Sequence, residues 1–137
     1  NRFLNSATTG LAAAIDPEIR ALLREWGRTG PFDAMVGIAG TFTTLAAVMK
    51  GLKTYSHSEV HGSLLPLSEV ERQVEIYRTK TIAERKQIAG LEPKRADVIL
   101  AGALLIQRIM TLVGMESVTV SDQGIRYGLL YEKIAGI

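Results

Sequence analysis

No cysteine occurs anywhere in the 137 residues, which excludes a disulfide-stapled secreted mini-domain and any thiolate metal site. Charge of one sign is not in excess either. The 16 basic and 14 acidic residues leave a net charge of +2 and are interleaved along the chain, with no block of either kind. Despite a pI near 9.1, that distribution argues against nucleic acid as a partner. Long apolar runs are also missing. The most apolar stretch, Val98 to Val113, is broken by Gln107 and Arg108 and falls short of the roughly 20 residues needed to cross a bilayer. It reads as a buried helix, and no membrane partner is expected. No basic segment leads into an apolar run and cleavage site at the start, so no signal peptide is read and a cytoplasmic location is expected. Internal repeats and low-complexity tracts are lacking. Asn1 is not an initiator methionine, from which we expect a chain processed, cut or begun inside a longer protein.

What is present is enough apolar material, 47% of residues, for one core, with 22% charged residues to solubilise the surface. A single domain over 1–137 is expected. Asp16-Pro17 reads as a helix start, with Ile19, Leu22, Leu23 and Trp26 on one face and an end between Gly27 and Pro31. The run Ala34 to Ala39 is apolar on both alternating faces, as for a central parallel strand covered on each side. A helix from Gly40 to Met49 follows directly, closed by Gly51.

Residues 52 to 66 read as a connection with a short extended piece between Val60 and Leu65. A helical insertion over about 67–90 follows, opened by two capping boxes, Ser68 with Glu71 and Thr81 with Glu84. Val70, Val74 and Tyr77 share a face there, while the charged residues, Arg85 among them, are expected outside. Pro93 opens the longest helix, to about Val113, with Gly114 as its left-handed cap. Ser117 to Ser121 has strand chemistry, and Asp122-Gln123-Gly124 caps a last helix from Ile125 to Ile134. This alternation predicts an α/β fold with few parallel strands flanked by helices.

Three segments carry possible chemistry. The turn Gly37-Ile38-Ala39-Gly40-Thr41 joins strand to helix, and glycines with free helix N-terminal N–H groups suit phosphate. Its spacing is neither GxGxxG nor a P-loop, and from spacing alone the plainer reading is close helix–strand packing. Arg95, beside Asp97 at a helix start, offers a bidentate fork to phosphate oxygens; the plainer reading is a solvated surface pair. Ser121 to Gly128, with Arg126, begins the last helix, and Ser121 or Asp122 is expected to cap it. Parallel strands would bring this turn and the Gly37 turn to one carboxyl edge, where open α/β sheets bind ligands. His57 and His61 stand four apart, but the stretch between them does not read as helical, no third ligand has suitable spacing, and no metal site is assigned. No Ser-His-Asp or Cys-His arrangement is found.

Taken in order, Val36-Gly37-Ile38-Ala39-Gly40-Thr41 with Thr44-Leu45-Ala46, then Gly90 to Ile99 with Ala101-Gly102, then Thr119 to Gly128, resemble the second actin-like domain of the exopolyphosphatase and guanosine pentaphosphate phosphohydrolase family. His61-Gly62 followed by Ser68-Glu69-Val70-Glu71 adds to the likeness, which covers about residues 30 to 134. The resemblance implies the C-terminal part of an actin-like, ribonuclease H-like fold, paired with an N-terminal actin-like domain of the same parent chain across a cleft. It implies hydrolysis of terminal phosphate from polyphosphate or guanosine pentaphosphate, usually with magnesium, in a bacterial-type enzyme. The family's catalytic glutamate and glycine-rich loops precede the matched region, so no catalytic residue is assigned in this fragment. Carried over, Gly37, Gly40 and Thr41 would line the cleft, Arg95 would contact substrate phosphates and Arg126 would support the last helix start. Tyr127 stands where the family commonly has an acid. A homodimer is expected from bare sheet edges. The alternatives are a non-catalytic nucleotide- or polyphosphate-binding regulatory module, and half of an actin-like sugar or acetate kinase.

Overall fold

In the computed structural model, which describes residues 2–27 and 31–136, the first helix α1 spans Arg2–Glu25 and runs straight through Pro17. The expected start at Asp16 is therefore wrong. Asp16 does not cap; its carboxylate accepts two hydrogen bonds from Arg108, Nε at 2.8 Å and a terminal nitrogen at 2.6 Å. This bidentate pair fastens α1 to α6 (Ile99–Val113), and tertiary packing overrides the local preference of proline for a helix start. The helix ends before Gly27, which takes a positive φ of 62°. The rest of the predicted terminator, residues 28–30, lies outside the described residues. Along the predicted apolar face, Ile19 and Leu23 are half-buried, whereas Leu22 and Trp26 are exposed.

Strand β1 (Val36–Ile38) leads into α2 (Gly40–Met49), whose limits agree with the sequence pattern. Strand β3 (Ser117–Ser121) pairs with β1 in parallel, Val36 opposite Thr119 and Ile38 opposite Ser121. The expected extended piece is present but lies later, as β2 (Leu64–Pro66), and against the expectation of parallel strands it pairs antiparallel to β3, giving a mixed sheet of order β1-β3-β2 among the described residues. Pro66, with no N–H, is tolerated because β2 lies at an edge. β1 is the other edge and not a central strand; only Gly37 of it is buried, and Val36 and Ile38 are exposed.

The core lies between α2, β3, α4 (Leu67–Thr79) and α6, with Leu45, Leu65, Tyr77, Met110, Val118 and Val120 fully buried. α4 starts one residue before the expected capping box, with Pro66 at its cap and no side-chain capping bond. Val70, Val74 and Tyr77 do share the buried face. α5 (Ile82–Arg85) has the full Thr81–Glu84 box, yet Arg85 is 5% exposed and not on the outside as expected. Pro93 opens only a 3-10 turn, Pro93–Arg95; α6 begins at Ile99, and α1 is longer than it. Gly114 caps α6 at φ 74° as foreseen. α7 (Ile125–Ala135) buries none of its residues, and its cap is Gly124 rather than Ser121 or Asp122. No helix of the described chain is long and apolar enough to cross a membrane.

Candidate phosphate-binding cleft

The parallel register of β1 and β3 sets Ile38 beside Ser121, so the turns that follow both strands leave the sheet at one edge. The first of these turns is strained. Ala39 holds φ 74° and ψ 177°, a region that is essentially glycine's own, and it is the one non-glycine with positive φ among the described residues. Such strain costs about 1–3 kcal/mol and persists where the surroundings fix it. Here it allows β1 to turn abruptly into α2 at Gly40.

Gly40 and Arg95 come together. A Cβ at Gly40 would overlap the Arg95 guanidinium, so the missing side chain is what lets that cation lie on the first residue of α2. The other glycines serve packing: a Cβ at Gly37 would overlap the Phe42 ring, and one at Gly102 would crowd the Thr41 methyl at 2.8 Å. Thr41 thus faces α6. Arg126 is exposed at the start of α7 and is not among the residues lining the cleft. Of the five expected site residues, the fold brings Gly40 and Arg95 into contact and turns Gly37, Thr41 and Arg126 to other surroundings.

Arg95 lines a cleft of about 500 Å³ together with Thr43, Thr44, Lys53, Tyr55, Glu92 and Asp122, floored by Ala47, Leu52 and Leu91. Arg95 is held by Glu92, not by the Asp97 that the sequence suggested; its Nε donates to Glu92 at 3.3 Å, while Lys94 reaches the same carboxylate at 2.7 Å. These contacts, Lys94 foremost, hold the Glu92 carboxyl below its usual range. Tyr55 closes one side. Burial, then the neighbouring Asp122 carboxylate, push its hydroxyl up to about 12, so it stays a neutral donor at physiological pH.

Asp122 separates this cleft from a smaller one of about 270 Å³ that holds His57, His61 and Tyr127. His57 Nδ1 pairs with the Asp122 carboxylate, and the Asp122 N–H donates to His61 Nδ1 at 3.2 Å. The stretch between the histidines is helical after all, a single turn α3 (His57–Val60) capped by Ser56. Those meetings, across 65 and 61 residues of chain, have no local signal in the sequence. No group of three or more His, Asp or Glu side chains among the described residues could hold a metal ion. Magnesium is commonly held through one or two carboxylates together with water and substrate phosphates, and the two carboxylates on this wall, Glu92 and Asp122, are paired with Lys94 and Arg95 and with His57.

A family model described as the Ppx/GppA phosphatase family matches residues 6–136. Among curated proteins, the chain is similar to exopolyphosphatase 2 of Mycobacterium tuberculosis, at 29% identity over 119 residues, 84% of this chain and 36% of that one. It is also similar to the bifunctional 3-dehydroquinate synthase/phosphatase of Fusobacterium nucleatum, at 30% identity over 101 residues, 74% of this chain and 15% of that protein. Among solved structures, the Aquifex aeolicus member of the Ppx/GppA family superposes with a TM-score of 0.87 at 26% identity, covering 96% of this chain and 42% of that one. The chain spans less than half the length of each of these relatives.

Proposed function

Since this chain belongs to the Ppx/GppA phosphatase family and shares the actin-like α/β fold of its solved members, we propose that it forms one wall of a cleft in which terminal phosphate is hydrolysed from polyphosphate or guanosine pentaphosphate. The observation that carries this reading is the seating of the Arg95 guanidinium on Gly40, where α2 begins, at the carboxyl edge of the parallel pair. Hydrolysis of a phosphoanhydride needs donors and cations aimed at the oxygens on which charge develops. Arg95 supplies a planar fork, the start of α2 supplies backbone N–H groups, and Lys53 brings a second cation to the same cleft.

The general base, the remaining phosphate loops and the oxygens that would complete a magnesium shell come, on this reading, from an N-terminal actin-like domain of a longer parent chain. No step is derived through the metal. Glu92 and Asp122, the carboxylates on this wall, are engaged with Lys94 and Arg95 and with His57, which leaves them as orienting groups.

The test is Arg95→Ala in the full-length protein, with phosphate release from polyphosphate as the readout. A fall of about 10–100-fold is expected from the loss of charge-assisted bonds. Hydrolysis at the natural rate would refute the cleft, and ATP-dependent transfer to a small acceptor in place of hydrolysis would point to a kinase. The 137-residue chain by itself is expected to release no phosphate; turnover by it would overturn the division of labour.

A further inference from the structure

Arg85 is a guanidinium inside the protein without a carboxylate partner among the described bonds. It is 5% exposed, its Nε donates to the Tyr77 carbonyl at 2.8 Å, and a terminal nitrogen donates to the Ala96 carbonyl at 3.0 Å. Burial pushes its pKa down, yet an arginine remains charged at any physiological pH. Keeping such a charge inside is costly, and two neutral carbonyls offset the cost less well than a carboxylate would. A hydrophobic side chain would fill this place more cheaply if α5 only needed packing.

The two carbonyls have distinct addresses. Tyr77 belongs to α4, and its hydroxyl donates to Gln73 Oε1 at 2.6 Å, while Gln73 Nε2 donates to the Leu45 carbonyl of α2 at 2.9 Å. Ala96 directly follows Arg95 and is fully buried. On the other side of the same segment, Gly90 (φ 89°) packs flush on the α2 backbone, where a Cβ would overlap the Ala47 carbonyl. A closed circuit results, running from Leu45 through Gln73, Tyr77 and Arg85 to Ala96, and from Arg95 back to Gly40 at the start of α2.

We infer that Arg85 is a positioning residue for the cleft: by clamping the Ala96 carbonyl to the end of α4, it fixes where the Arg95 guanidinium sits over α2. This rests on the proposed phosphate-binding role of Arg95 and goes beyond it by assigning a second, buried arginine to the same task.

A double-mutant cycle in the full-length protein tests it, with affinity for imidodiphosphate measured by calorimetry and folding followed by Tm. Arg95→Ala is expected to weaken binding at least about tenfold. Arg85→Met should weaken it about tenfold in the natural background and less than about twofold when Arg95 is already alanine, because its effect passes through Arg95. Arg85→Lys keeps the charge but cannot span both carbonyls, should fall in between, and carries the same test if the methionine variant unfolds. A role confined to holding α5 would lower Tm without this non-additivity, so equal losses in both backgrounds overturn the inference. If Arg95→Ala weakens binding while neither Arg85 variant does, the inference alone fails. Unchanged affinity in Arg95→Ala removes the cleft reading and this inference with it.

Discussion

Two adjacent residues, Ala39 and Gly40, show how sharply a single position can decide between strain and function. Ala39 is held at φ 74°, where its methyl costs about 1–3 kcal/mol, against about 0.5–1 kcal/mol that glycine would lose in backbone entropy. Strain outweighs entropy, so Ala39→Gly should stabilise the protein by about 1 kcal/mol in denaturant unfolding. Gly40→Ala should act in the opposite sense and on another quantity. The new methyl would meet the Arg95 guanidinium, which is the far end of a flexible side chain and can swing away. We expect little change in stability, within about 1 kcal/mol, but a loss of imidodiphosphate affinity of about tenfold, approaching that of Arg95→Ala. Unchanged affinity in Gly40→Ala would show that the seat on α2 is irrelevant to anion binding.

Among the elements, α1 depends on a remote partner. Pro17 lies inside it, and the pair between Asp16 and Arg108 joins α1 to α6 with both side chains about three-quarters buried. The hydrogen bonds from Arg108 hold the Asp16 carboxyl below its usual range. A carboxylate with a depressed folded pKa adds stability above the unfolded value of about 3.9, and that contribution is lost as pH falls through the folded value. Asp16→Asn should therefore lower Tm by on the order of a few degrees at pH 7, and the difference from the natural chain should shrink as pH drops below about 4. A constant difference across that range would mean that the ion pair is not what couples the helices. α6 teaches a related lesson: its apolar pattern is plain in the sequence, but the turn before it, Pro93–Arg95, is a separate 3-10 segment with Arg95 N–H bonded to the Glu92 carbonyl and Ala96 N–H to the Pro93 carbonyl, and the Ala96 carbonyl after it goes to the distant Arg85.

At the scale of the whole molecule, the sheet among the described residues is short and has β1 and β2 at its edges. Val36 and Ile38 of the edge strand β1 are exposed, and α7 shows Ile125 and Ile134, each 75% exposed, with Leu129, Leu130 and Tyr131 beside them. Free edges and contiguous apolar faces favour association. We therefore expect the purified 137-residue chain to self-associate in sedimentation experiments. Leu130→Lys with Ile134→Lys should reduce that association while leaving stability within about 0.5 kcal/mol per substitution, since neither side chain is buried. A monodisperse monomer would refute the expectation.

Features with local causes were legible along the chain. The limits of α2 and β3, the Thr81–Glu84 box and the Gly114 cap follow from propensities and from neighbours within a turn, whereas Gly40 and Arg95 stood out only through resemblance to a family. Tertiary structure alone decided the rest. That β2 joins antiparallel, that Pro17 is carried through, that Arg85 turns inward and that Asp122 meets both histidines all depend on groups distant in sequence. A buried hydrogen bond is satisfied by whichever partner the packed chain brings near, and sequence spacing does not encode that distance.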